Sequence, residues 1–148
     1  MENLSGRKEL EELAQTGKYV FHGSAAVVEK LEPRQAHDYT SGVKKPDYKP
    51  AVFATDRIDT AIFMALYDAA PSPKHGQFSL RNNEISFYVS PNAFDNPNLK
   101  GVVYVLNMSD FQHLRGIEFV SEREVTPAKI VEVGVGDLPG DIGTIPLH

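Results

Sequence analysis

The sequence has no cysteine among its 148 residues. Disulfide bonds, thiolate catalysis and thiolate metal sites are therefore excluded. Long apolar runs are also missing, since no stretch approaches the roughly 20 residues that a membrane-spanning helix needs. Positive charge is scarce, because 15 Lys and Arg residues stand against 20 Asp and Glu residues, for a net charge of −5. Proteins that coat duplex nucleic acid are usually basic, so this class is disfavoured.

The remaining composition is that of an ordinary folded domain, with 41% apolar and 24% charged residues. This length predicts one domain over residues 1–148, including an N-terminal helix over residues 1–16. The first 15 residues lack the apolar core of a secretory signal, which favours a cytoplasmic protein. No metal site is expected, because the histidines lack the short spacings of metal ligands. They stand at positions 22, 37, 75, 113 and 148.

Hydrophobic periodicity predicts an α+β fold. Apolar residues recur at helical spacing over residues 58–69, so a second helix is expected there, with Asp56 as its cap and Pro71 marking its end. Residues 33–50 are predicted as a long loop and residues 71–84 as turns. Strands are predicted at residues 18–22, 51–54, 85–89, 102–106, 117–121 and 129–135. Late strands with short connections favour antiparallel sheets.

Two polar residues stand out within these strands. Side-chain alternation places His22 and Phe21 on opposite faces, and Gly23 beside His22 allows a ligand to approach the backbone. Glu118 likewise points away from its neighbour Phe119. Taken alone, a histidine at a strand end or a glutamate within a strand is most often structural or solvated.

Three short motifs follow one another along the chain. They are His22-Gly23-Ser24 at the end of a strand, Val52–Thr55 leading into a helix that carries Ala61-Ile62-Phe63, and Glu118-Phe119-Val120. In this order they resemble the ADP-ribosyltransferase superfamily of the diphtheria-toxin and poly(ADP-ribose) polymerase type, which has a His–Tyr–Glu triad. The second motif is similar to that of rifampin-modifying ADP-ribosyltransferases. The resemblance implies split antiparallel β-sheets packed with a few helices around an NAD cleft.

The resemblance also implies how the first two motifs bind NAD. His22 would hold the adenosine ribose, Gly23 would bind the nicotinamide amide through its backbone, and Ser24 would contact the nicotinamide side. Phe53 stands where the family has tyrosine, so the stacking ring is kept and the hydroxyl is lost. A second aromatic ring, Phe63, would close the other side of the nicotinamide.

The remaining site residues follow from the same comparison. Ala54 and Thr55 would line the cofactor site with the rest of the second motif, and Arg34 would lie near the pyrophosphate. Glu118, together with His22, would be catalytic. Breaking the nicotinamide–ribose bond develops positive charge on the ribose, and a carboxylate stabilises that charge. Glu122 and Glu124 are solvated by default, and they are the fallback if the register of the third motif is shifted.

The expected function is NAD-dependent mono-ADP-ribosyl transfer, with NAD as substrate, no metal and no membrane partner. The acceptor is open among a small molecule, a nucleic acid base and a protein, and NAD hydrolysis would use the same site. Residues 33–50 and the N-terminal helix are the expected specificity elements. The alternatives are a non-catalytic NAD or ADP-ribose binding module and an RNA 2′-phosphotransferase. The net charge of −5 disfavours the latter.

Overall fold

The computed structural model describes residues 5–34, 49–72, 74–82 and 84–145, together with the backbone of residues 37–38 and 45–46. These parts contain two α-helices, α1 at Gly6–Ala14 and α2 at Ile58–Ala69. The strands are β1 Tyr19–Ser24, β2 His37–Asp38, β3 Lys45–Pro46, β4 Val52–Thr55, β5 Gly76–Arg81, β6 Glu84–Val89, β7 Lys100–Asn107, β8 Gln112–Arg115, β9 Glu118–Ser121, β10 Lys129–Gly134 and β11 Ile142–Thr144.

The main sheet has six strands in the order β10-β7-β1-β4-β9-β8. Every neighbouring pair in it is antiparallel. β7 is buried continuously over residues 101–106, as its apolar run predicts for a central strand. This sheet brings the strands of all three sequence motifs side by side, because β1, β4 and β9 are consecutive in its order.

A smaller sheet has the order β11-β6-β5, with β5 antiparallel and β11 parallel to β6. The short strands β2 and β3 pair with each other. The prediction of an α+β fold is confirmed, with antiparallel and mixed sheets. The parallel pair between β11 and β6 departs from the antiparallel expectation. β11 is only three residues long and lies far in sequence from β6.

The two faces of the six-stranded sheet cover separate cores, and alternation along β1 assigns its residues to them. Phe21 joins the core under α1 and α2, whereas Val20 joins the core on the opposite face. The predicted alternation is therefore confirmed. The second core consists of buried side chains from β1, β4, β7 and the single bridge between Leu31 and Val125: Val20, Leu31, Val52, Ala54, Val102, Tyr104, Leu106 and Val125.

Helix α2 spans the predicted residues, and its apolar stripe is buried as expected. The predicted cap was wrong. The N-cap is Arg57, which makes no side-chain capping bond, and Thr55 Oγ1 accepts a hydrogen bond from the Arg57 amide at 3.1 Å. Asp56 is exposed and instead forms an ion pair with Arg57 at 3.8 Å.

Five of the described strands were not predicted from the sequence. Residues 76–81, predicted as turns, form β5, the short strands β2 and β3 lie within the predicted loop, and β8 and β11 were also not predicted. β5 is an edge strand whose residues are mostly exposed, and the Gly, Pro and Asn residues around it indicate turns, although Phe78 and Leu80 alternate with polar residues. Most of the predicted loop at 33–50 lies outside the described residues. Neither of the two described helices is long and apolar enough to cross a membrane.

Candidate functional site

The end of β1 places the His22 ring against β4. The two strands are in register at Phe21 and Thr55, and the next residue on β1 is His22. Its Nδ1 lies 2.7 Å from the carbonyl oxygen of Phe53. Because a carbonyl only accepts, Nδ1 carries the proton in this contact, and Nε2 of the neutral ring keeps a lone pair that can accept from a ligand.

The surroundings of His22 favour the neutral imidazole. Burial lowers its pKa below 6.5, and the nearby charge of Arg34 acts in the same direction. The hydrogen bond to Phe53 and the carboxylate of Asp68 oppose the shift without reversing it. At neutral pH the ring is therefore a hydrogen-bonding group and not a cation.

A cavity of about 240 Å³ opens beside this histidine, and we call it the small cavity. His22 and Glu118, far apart in the sequence, both line it. Phe21, Thr55 and Glu118 are opposite one another on three neighbouring strands, so they lie in one row on the same sheet face. Its further lining residues, mainly apolar, are Gly23, Phe53, Ala54, Thr60, Ala61, Met64 and Phe78.

Glu118 is the first residue of β9 and remains accessible, with 32% of its side chain exposed. Its Oε2 accepts a hydrogen bond from Arg115 Nε at 2.6 Å, which forms an ion pair across the β8–β9 turn. The carboxylate therefore lies at the cavity wall, paired with the Arg115 guanidinium and open to solvent.

A second cavity of about 540 Å³, the large cavity, shares His22 and Phe53 with the small one. Ser24, Arg34 and Asp68 line it as well. The two cavities therefore adjoin at His22 and Phe53, and we call them together the two-part cleft. One part is mainly apolar, and the other carries charged side chains of both signs.

Several contacts hold the walls of the large cavity in place. The backbone of Arg34 exchanges two hydrogen bonds of 3.1 Å with Ala51, next to the second motif. The hydroxyl of the buried Tyr104 donates to the Ala26 carbonyl and accepts from the Val28 amide, each at 2.7 Å. Asp68 Oδ2 accepts a hydrogen bond of 2.8 Å from the backbone amide of Ala25, the residue after Ser24.

The structure brings together most residues of the predicted site. The small cavity collects His22, Gly23, Phe53, Ala54, Thr55 and Glu118, and the large cavity collects His22, Ser24, Arg34 and Phe53. The fallback residues Glu122 and Glu124 line neither cavity and pair instead with lysines.

Phe63 does not occupy the expected position. It is 1% exposed and lies in the core, with its ring centroid 5.0 Å from that of Phe87 and 5.9 Å from that of Phe94. The helical period explains the difference, because Thr60 and Met64 occupy the side of α2 toward the small cavity while Phe63 faces β6. The prediction that Phe63 closes the site is therefore wrong in this structure.

Gly23 has a packing role that the sequence did not reveal. A Cβ at this position would overlap the Ala61 carbonyl oxygen and lie 2.6 Å from the Ala65 amide nitrogen. The backbone of α2 thus packs directly on the end of β1. The glycine is required for this close approach, whatever it contributes to a ligand.

Thr60 is a site residue that the sequence analysis missed. It is 3% exposed, lines the small cavity, and its Oγ1 has no hydrogen-bond partner among the described residues. A buried hydroxyl without a partner is costly, and a ligand in the cavity would supply one. The available signal was a hydroxyl on an otherwise apolar helix face. Phe78 was missed because its strand was predicted as turns.

In the described part of the chain, no three His, Cys, Asp or Glu side chains are grouped so that they could hold a metal ion. No protein-family model matches this chain, and neither a curated protein nor a solved structure matches it.

Proposed function

We propose that this protein is an NAD-dependent mono-ADP-ribosyltransferase with an ADP-ribosyltransferase-like fold. The observation that carries the proposal is that Glu118 and His22 line one cavity together with Phe53. The resemblance requires the three motifs to lie close together. They are close because β1, β4 and β9 are neighbouring strands of the six-stranded sheet. Nothing in the local sequence around any one motif demands this proximity.

The two-part cleft suits a dinucleotide whose halves differ in polarity. The nicotinamide ring, flat and largely apolar, fits the small cavity, where Phe53 offers a ring face and Thr60 an unpaired hydroxyl for the amide. The ADP portion fits the large cavity, where Arg34 offers a cation for the pyrophosphate. His22, which lines both cavities, accepts a hydrogen bond from a ribose hydroxyl through Nε2.

The chemistry assigns the central role to Glu118. The bond between the ribose C1 and the nicotinamide nitrogen breaks, and nicotinamide leaves with the electron pair. The positive charge left on the ribose is stabilised by the adjacent carboxylate. The acceptor then forms a bond to C1 and loses its proton to Glu118 or to solvent. Water in place of the acceptor gives NAD hydrolysis at the same site.

One observation favours a second candidate, a non-catalytic NAD or ADP-ribose binding module. The carboxylate of Glu118 already has a charged partner in Arg115 at 2.6 Å. A glutamate retained only for such a contact would leave the cleft intact without supporting turnover.

Nicotinamide release from NAD separates the two candidates. We expect the wild-type protein to release nicotinamide and Glu118→Gln to lose activity by about 10²–10³-fold. The matched control is Glu122→Gln, which removes another ion-paired glutamate four residues along the chain and should leave the rate unchanged. NAD affinity is measured calorimetrically for all three proteins. If all three proteins bind NAD and none releases nicotinamide, the result supports the module. A wild-type protein that binds neither NAD nor ADP-ribose excludes both candidates.

A further inference from the structure

The turn between β8 and β9 is built around the proposed catalytic glutamate. Arg115 and Glu118 are paired across the ladder, next to a register shift that follows His113. Between them, Gly116 adopts a φ of 47°, a conformation that glycine accepts at little cost. The turn thereby brings the Arg115 guanidinium back over Glu118, with 2.6 Å between Nε and Oε2.

The turn also has support that does not involve Arg115. His113 Nε2 donates to the carbonyl oxygen of Gly116 at 2.8 Å. The same imidazole packs edge-on against Phe119, with 5.1 Å between the ring centroids. Phe119 in turn packs against the second core. Removal of the arginine side chain should therefore leave the turn folded.

We propose that Arg115 is a positioning residue for Glu118. This inference rests on the proposed function, since it concerns how the catalytic carboxylate is held. Glu118 has a partly exposed side chain with three rotatable bonds, so an unrestrained carboxylate would sample several positions. A short, charge-assisted hydrogen bond to Oε2 selects one of them at the wall of the small cavity.

The expected consequence lies in the chemical step. Stabilisation of the ribose cation depends on where the carboxylate stands when the glycosidic bond breaks, and a displacement of about 1 Å is costly there. NAD affinity depends instead on the many contacts along both cavities, which Arg115 does not line. The pair is largely solvent-exposed, with side-chain exposures of 53% and 32%, so it contributes little to folding stability.

The test compares Arg115→Ala and Arg115→Lys with Arg123→Ala, which removes another exposed arginine near β9. Steady-state nicotinamide release is measured for each protein, and thermal melting checks the fold. We expect Arg115→Ala to lower kcat roughly tenfold with KM for NAD within about twofold of wild type. Arg115→Lys should recover part of kcat, because it restores the charge without the guanidinium geometry. Arg123→Ala should match wild type.

Three results would overturn this role. They are a kcat of Arg115→Ala equal to or above that of wild type, a change confined to KM, and a loss in Arg115→Lys as large as in Arg115→Ala. These results presuppose an active wild-type protein and leave the proposed function standing. A wild-type protein that binds NAD without releasing nicotinamide overturns both proposals, and it is recognised before any arginine variant is compared.

Discussion

The Nδ1 atom of His22 and the carbonyl oxygen of Phe53 lie 2.7 Å apart, which ties the first motif to the second where the two cavities meet. The contact fixes both the orientation of the imidazole and its tautomer, with the proton on Nδ1. A single hydrogen bond therefore decides that Nε2 is the atom available to a ligand.

Folding stability should depend on the charge of His22. Burial keeps its pKa in the folded protein below the unfolded value of 6.5. Between these two values the unfolded chain binds a proton that the folded chain does not, so stability falls as the pH is lowered through this window. Denaturant unfolding from about pH 7 to about pH 5 should show a steeper loss for wild type than for His22→Asn, which cannot titrate. Parallel curves would contradict the burial of a neutral imidazole.

The same variant separates the structural and ligand-binding roles of the histidine. In His22→Asn, the side-chain amide can still donate to the Phe53 carbonyl, but the acceptor equivalent to Nε2 is gone. We expect near-normal stability and NAD binding weaker by about tenfold, the cost of one lost hydrogen bond. His22→Ala should lose both stability and affinity. Equal NAD affinity of His22→Asn and wild type, measured by calorimetry, would remove the histidine from the binding site.

Substitution of Gly23 tests how tightly α2 packs on β1. An alanine Cβ would lie 2.6 Å from the Ala65 amide nitrogen and would overlap the Ala61 carbonyl, so strand and helix must separate. We expect Gly23→Ala to lower the free energy of unfolding by about 2–3 kcal/mol, a melting shift of roughly 5–10 °C. Gly140→Ala is the matched control, because no atom lies within 4 Å of its Cβ position. Similar melting temperatures for both variants would contradict this packing.

The features that the sequence could predict are those with a local period. Helix α2 was predicted at its full extent because its apolar residues recur every three to four positions. The alternation that separates Phe21 from Val20 was predictable because strand residues face opposite sides in turn. The motif residues of β1, β4 and β9 could be identified, but their meeting depends on strand order, which no local pattern encodes.

Other features were beyond the sequence for physical reasons. β5 is exposed at a sheet edge, so no burial pattern marks Phe78 as a cavity residue. Phe63 and Met64 are adjacent on one helix, and which of them faces the site depends on how α2 is rotated against the sheets. The contact between Arg115 and Glu118 depends on a turn geometry that residue types alone do not specify.

Loss of the Tyr104 hydroxyl should weaken ligand binding in the large cavity and not in the small one. This buried hydroxyl bonds to Ala26 and Val28, which line the large cavity and not the small one. We expect Tyr104→Phe to lower the free energy of unfolding by about 1–2 kcal/mol and to weaken ADP-ribose binding while nicotinamide binding is unchanged. Calorimetric titration with the two fragments measures this difference, and Tyr88→Phe, a half-exposed tyrosine of β6, is the control. A parallel loss of both affinities would show that the cleft does not divide at His22.

Removal of the unpaired Thr60 hydroxyl should leave stability unchanged or raise it, and should weaken ligand binding. The Oγ1 atom is buried without a partner among the described residues, so Thr60→Val, which keeps the side-chain shape, should leave stability unchanged or raise it by about 1 kcal/mol. If the hydroxyl pairs with the nicotinamide amide, the same variant should weaken nicotinamide binding by about 5–30-fold. Thr60→Ser keeps the hydroxyl and should retain most of the affinity. A destabilised Thr60→Val protein with unchanged nicotinamide affinity would mean that the hydroxyl serves the fold and not the ligand.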